Sequence, residues 1–196
     1  MIQTLLNQLQ QQYSQCNIYL YGSHVYKTNG EKSDYDFIIV GNLTSDDSIK
    51  TEFGDLHFYS KEDFDQLLAQ QEISAIECYF LPEEFKRERF ALTWTLNLEH
   101  LRSSCSQKSS NSWVKANKKL TVENEPYIAQ KSLFHSLRIL NFAIEIAVTG
   151  KLTNFDSKSL WNEVSSLPLD WELWKSHFKT RYNSLKSEFK KVAPKT

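Results

Sequence analysis

Asp34 and Asp36 stand one residue apart, directly before the apolar run FIIV at residues 37–40. Along an extended strand, residues two apart project to the same face, so the two carboxylates aim together. Carboxylates held side by side repel one another unless a cation lies between them. Hard oxygen donors with room for water and phosphate suit Mg2+ or Mn2+. Asp55, within FGDLHFY at residues 53–59, could supply a third carboxylate from a neighbouring strand. Three carboxylates can hold two divalent ions, one to activate an attacking hydroxyl and one to hold phosphates and a leaving group.

Gly22-Ser23, a short way upstream, complements this set. Glycine lets backbone approach a phosphate closely. The N–H groups at the start of a following helix suit an anion, and the Ser23 hydroxyl adds a donor. One wall of the site would favour phosphate and the other metal. Between them runs KTNGEKS, a loop marked by the strong turn signal Asn29-Gly30.

Local patterns say what positions these residues. Ile2, Leu5, Leu6, Leu9 and Tyr13 have helical spacing over residues 2–15. NIYL at 17–20 reads as a buried strand ending at Tyr21-Gly22, and residues 23–26 as the start of a short helix. DFIIV at 36–40 is β-branched and apolar, a second strand. GNLTSDDS reads as a polar connection, with Asp46 and Asp47 as solvated loop residues. The third strand, residues 53–59, places Asp55, His57 and Tyr59 on one face and Leu56 and Phe58 on the other. The short gap from Asp36 to Asp55 suggests that a direct hairpin joins their strands. Ser60, with Asp63 three residues on, opens a helix running to about residue 71. ISAIECYFLP is a strand or a short helix; within it Cys78 reads as a core residue.

From residue 83 onward the pattern reads as helical almost throughout, with the Ser-rich SSCSQKSSNS as a loop near a domain boundary. The longest helix is expected over residues 126–148, begun by Pro126 and stopped by Gly150, with Leu133, Leu137, Leu140, Ile144 and Ala147 as its core stripe. Lys131, His135 and Arg138 fall at i, i+4 and i+7, on one face away from that stripe. Lys115, Lys118 and Lys119 in WVKANKKL could track a phosphate backbone or belong to an ordinary surface helix. Trp161, Trp171 and Trp174 read as core of the late helices.

The 196 residues suffice for one ordinary domain or two small ones, and 12 Phe, 9 Tyr and 5 Trp argue against disorder. Residues 1–98 hold 7 Lys and Arg against 15 Asp and Glu, a net of −8; residues 99–196 hold 16 against 9, a net of +7. An acidic half suits a metal site and a basic half suits a polyanion. The three cysteines are widely spaced with no CxxC pair, which argues against zinc and for reduced thiols in a cytosolic or nuclear setting, with the cytoplasm expected. The N-terminal residues lack a signal-peptide core, and no apolar segment reaches membrane-spanning length, so no membrane partner is expected.

Gly22-Ser23, then Ser33-Asp34-Tyr35-Asp36 before FIIV, then GDLHFY with Asp55, resemble the DNA polymerase β-like nucleotidyltransferase superfamily. The resemblance implies that Gly22 and Ser23 grip nucleotide phosphates, that Asp34 and Asp36 bind metal, and that Asp55 activates the acceptor hydroxyl. That family often has a small residue or Arg after the Gly-Ser pair and a Gly a few positions later; here His24 and Lys27 stand in those places, and Lys27 could still meet a phosphate. The helical part is similar to predicted nucleotidyltransferases associated with RNA repair, whose Lys…His…Arg helix Lys131, His135 and Arg138 match.

Together these readings predict an α+β protein. Residues 1–98 would form a nucleotidyltransferase core, a small mixed β-sheet with flanking helices. Residues 99–196 would form a C-terminal helical bundle that binds substrate. The implied activity is Mg2+- or Mn2+-dependent transfer of NMP from an NTP, with ATP as the expected nucleotide, to a hydroxyl acceptor. The basic half favours an RNA or other nucleic acid end as that acceptor. The alternatives are AMP transfer to a protein or small molecule, and a catalytically silent nucleotide- or RNA-binding module.

Overall fold

Short apolar runs bounded by turns bury themselves as central strands, and NIYL and FIIV do so in the computed structural model, which describes residues 1–31, 33–43 and 48–194. The fold is α+β and divides into two compact units, Met1–Thr95 and Leu96–Thr196. In the first, helix α1 (Ile2–Gln12) leads into strand β1 (Asn17–Tyr21), helix α2 (Ser23–Tyr26) and strand β2 (Asp36–Gly41). Strands β3 (Ser48–Lys50) and β4 (Asp55–Ser60) follow, then helices α3 (Lys61–Ala69) and α4 (Ile73–Phe80), a 3-10 turn at Glu83–Phe85, and β5 (Lys86–Arg87). Among the described residues the sheet is five-stranded and mixed, in the order β3-β4-β2-β1-β5.

Helices cover both faces of this sheet. Phe64 of α3 stacks on Tyr19 and meets Tyr59 edge-on, while Tyr13, just after α1, meets Phe58 on the opposite face. Residues 37–41 of β2 are therefore buried, and Asp36 at its start is the half-buried exception. Ser60 caps α3, accepting from the Asp63 N–H at 3.0 Å and donating to the Asp63 carboxylate at 2.5 Å. The ambiguous ISAIECYF is helical. Its end at Leu81 follows from Pro82, which forces the residue before it to extended backbone.

Residues 83–97 correct an expectation of helix. Asn17 supplies the reason. Its Oδ1 accepts from the N–H groups of Arg89 (2.7 Å) and Phe90 (3.2 Å), and its Nδ2 donates to the Phe90 carbonyl and the Tyr19 hydroxyl, both at 2.9 Å. One buried amide thus takes the backbone partners that a helix would need. Lys86, 9% exposed, adds ion pairs to Glu83 and Glu88, and Glu88 accepts from Tyr19. Strand β3 is a second correction: it begins at Ser48, the last residue of the expected polar connection, and its three residues are all exposed, so no buried apolar face announces it. Asp46 and Asp47 lie outside the described residues.

The second unit contains α5 (Leu98–Thr121), α6 (Pro126–Thr149), α7 (Lys158–Ser166) and α8 (Trp171–Val192). The Ser-rich stretch expected as a loop lies inside α5. Leu101, Cys105, Ser109 and Ala116 are buried there, and small side chains let α5 pack closely along α6. The Ser109 hydroxyl donates to the Ser136 carbonyl at 2.7 Å, so its burial leaves no polar group stranded. In α6 the core stripe passes through Leu133, Leu137 and Leu140 and then Ala143 and Ile146, rather than Ile144 and Ala147, which are half-buried. Gly150 ends the helix in the left-handed conformation, at φ 71°. Trp174 is fully buried, with its indole N–H on the Pro168 carbonyl at 2.7 Å; Trp161 and Trp171 are half-buried. Among the described residues no helix is long and apolar enough to cross a membrane.

Asn17→Ala should destabilise the first unit by about 2 kcal/mol in urea unfolding, because the part-buried Arg89 and Phe90 N–H groups lose their acceptor. Amide exchange should accelerate at Arg89 and Phe90.

Candidate functional site

The direction of β4 decides where Asp55 lies. A direct hairpin would make β2 and β4 antiparallel and set the start of one beside the end of the other. Instead they run parallel, with Phe37 beside Leu56 and Ile38 beside His57. The missed strand β3 makes this possible: it carries the chain back along the sheet edge and pairs antiparallel with β4. Both strands therefore begin at the same edge. Asp36 and Asp55, one step before the Phe37–Leu56 pair, are neighbours on strands about 4.8 Å apart and face the same way. The Asp36 Oδ1 accepts from the Asp55 backbone N–H at 3.3 Å.

On the other side of Asp36 lies the Gly-Ser turn. Tyr21 of β1 pairs with Asp36, so Gly22 follows directly beside it. Gly22 has φ 82°, and a Cβ there would sit 3.3 Å from Asp36 Oδ2. Glycine is thus required both by its backbone conformation and by the closeness of the carboxylate. Helix α2 is anchored by Tyr26, whose hydroxyl donates to the buried Glu77 at 2.5 Å and whose ring meets Tyr21 edge-on. Glu77 is a positioning group that the sequence pattern did not single out. Lys27 ends α2, exposed, at φ 57°. That left-handed conformation is one that glycine adopts at lower cost than a residue with a Cβ.

The loop carrying Asp34 is held from two directions. His24 stacks on Tyr35, ring centroids 3.9 Å apart and nearly parallel. The Tyr35 N–H donates to the Phe53 carbonyl at 2.7 Å. Gly54, at φ 153°, lies so close to Tyr35 that a Cβ would come within 2.3 Å of its carbonyl oxygen. Asp34 itself is exposed. Among the described residues no group of three or more His, Cys, Asp or Glu side chains is gathered to hold a metal ion. The donor chemistry at this edge nonetheless fits a hard cation, since it consists of carboxylate oxygens where the sheet meets solvent.

The family model of the nucleotidyltransferase domain matches residues 2–93. The N-terminal unit is a nucleotidyltransferase domain of the polymerase β-like superfamily. Transfer of a nucleotidyl group from an NTP is the chemistry of such domains. No curated protein matches the chain. The matched segment contains the whole sheet of the nucleotidyltransferase domain, with Gly22, Ser23, Asp34, Asp36 and Asp55 inside it.

Lys131, His135 and Arg138 lie outside the matched segment, on α6 of the second unit. They are not an even solvated stripe. Lys131 is exposed and lies over the Tyr127 ring, whereas Arg138 is 2% exposed and packs its guanidinium 4.9 Å from the Phe142 ring. Arg138 lies 3.3–3.4 Å from His135 Nδ1. A guanidinium can only donate, so Nδ1 accepts and the His135 proton sits on Nε2. Burial, then the charges of Arg138, Lys131 and Lys115, pushes the His135 imidazole well below its ordinary range. Three cations thus surround a neutral imidazole. Lys118 and Lys119 are committed elsewhere: both pair with Glu123, and their hydrogen bonds hold its carboxyl down at about 2, while Lys119 also pairs with Glu125. Cys78 is buried, and burial raises its thiol, as befits a core residue. His57 is half-buried on the Asp55 face of β4.

Gly54→Ala should cost about 3 kcal/mol of stability in urea unfolding, because the backbone of Tyr35 must move to admit a methyl group. His135 predicts a pH effect of definite sign. Its folded-state value lies below the ordinary 6.5, so between the two the unfolded chain binds more protons. Stability should then fall as pH drops from about 7 toward 5, and the difference between wild type and His135→Gln in urea midpoint should carry that slope.

Proposed function

We propose that this chain transfers NMP from an NTP, with ATP the expected nucleotide, to a hydroxyl at an RNA end. The observation that carries the reading is the setting of Asp36, whose one oxygen accepts from the Asp55 N–H while the other faces Gly22. A phosphate wall and a carboxylate pair thereby meet at one sheet edge. Asp34, Asp36 and Asp55 would hold Mg2+ or Mn2+, which when bound neutralises phosphate charge and lowers the pKa of the attacking hydroxyl.

The chain's own residues do the rest. Gly22 admits the triphosphate close to the backbone, and the Ser23 hydroxyl donates to it. Lys27 adds positive charge at the end of α2. Asp55 accepts the hydroxyl proton as the oxygen attacks the α-phosphorus; the bond to the bridging oxygen breaks and pyrophosphate leaves. Lys131, His135 and Arg138 are proposed as contacts for substrate phosphates, His135 as a neutral donor through Nε2. Most of the rate enhancement would come from positioning and charge complementarity. The three buried thiols, none in a disulfide, agree with a cytoplasmic setting.

One observation favours a smaller acceptor. With Lys118 and Lys119 occupied by Glu123 and Glu125, the basic track along α5 is shorter than its sequence suggests. AMP transfer to a protein or small molecule would need no such track and would depend less on salt.

Incubation with labelled NTPs, Mg2+ or Mn2+ and mixed RNA tests the proposal. Label should pass to RNA, and Asp36→Ala should reduce transfer at least about 100-fold. Transfer that survives both Asp34→Ala and Asp36→Ala overturns the site. Label on protein or small molecules instead selects the second reading. RNA binding without transfer to any acceptor indicates a silent module.

A further inference from the structure

The geometry points to His24 as the positioning residue for Asp34, an inference that rests on the cation-binding reading above. Two residues flank Asp34, and His24 grips both. Its Nε2 lies 3.2 Å from the Ser33 carbonyl, to which it donates, and its ring stacks on Tyr35 at 3.9 Å with the planes 10° apart. Each flank has a second restraint. Ser33 closes a turn with Gly30, its Oγ accepting from the Gly30 N–H at 2.9 Å and its own N–H donating to the Gly30 carbonyl at 3.1 Å. Tyr35 is held by the Phe53 carbonyl and by close contact with Gly54.

Asp34 is thus an exposed carboxylate on a short span fixed at both ends. His24 is the side chain that touches both ends, and it follows Ser23 directly in α2. The imidazole therefore links the phosphate wall to the carboxylate wall. A small side chain in its place could neither stack on Tyr35 nor reach Ser33. Without this clamp the Asp34 loop would populate more conformers. Apparent cation affinity would then fall by the fraction that remains competent.

Mn2+ binding to the full chain, read by electron paramagnetic resonance, tests the inference without reference to turnover. Asp34→Asn should weaken binding. His24→Ala should weaken it about 10- to 100-fold, the usual effect of losing a group that orients a ligand. His24→Phe keeps the stack and should recover binding to within about threefold of wild type. In the Asp34→Asn background, His24→Ala should have no further effect, because it acts through that carboxylate. An equal loss in both backgrounds, or wild-type affinity in His24→Ala, overturns the role of His24 while leaving the cation site standing. Unchanged binding in Asp34→Asn overturns the cation reading at Asp34 and the His24 inference with it.

Discussion

The site depends on one carboxylate being in contact with both of its neighbours. Asp36 begins β2, which lies between β1 and β4, so its side chain borders the Gly-Ser turn on one side and the start of β4 on the other. The rest of β2 is buried, and a charge one or two residues further along would have lost its water. At the strand's first residue the sheet opens to solvent, and carboxylates can gather without that penalty. Gly22 must lack a side chain for the turn to approach, and β4 must run parallel to β2 for Asp55 to arrive.

Buried polar groups hold the elements that present this edge. Glu77 fixes α2 through Tyr26, and Asn17 holds residues 89–90 against β1. Such groups stay buried because each has a partner, and losing one partner strands the other. The second unit has a core of its own. Small residues of α5 fit against α6, and four buried aromatic residues line α8. The neutral His135 among three cations gives that unit its most unusual electrostatic feature.

What could be read from sequence was mostly local. The amphipathic spacing of α1, the apolar runs of β1 and β2, the Ser60 cap and the Pro126-to-Gly150 limits of α6 follow from neighbours a few residues apart. Other elements have no such signature. β3 shows no buried apolar face, residues 89–90 form a bend held by an amide 72–73 positions away, and the Ser109 hydroxyl is satisfied by a carbonyl on another helix. His24 and Lys27 could be seen as departures from a family pattern. That one clamps Tyr35 and the other occupies a left-handed cap required coordinates.

The sequence by itself singled out the residues proposed to bind phosphate and cation, because Gly-Ser, the paired aspartates and the strand behind them are contiguous chemistry. It also marked Asp55 as a third carboxylate but implied the wrong strand direction for it. Only the tertiary structure decided that Asp55 lies beside Asp36, and that Gly54 and His24 hold the loop between the two walls. Strand direction and side-chain stacking are settled by contacts between distant segments, and neither leaves a period or a spacing in the sequence.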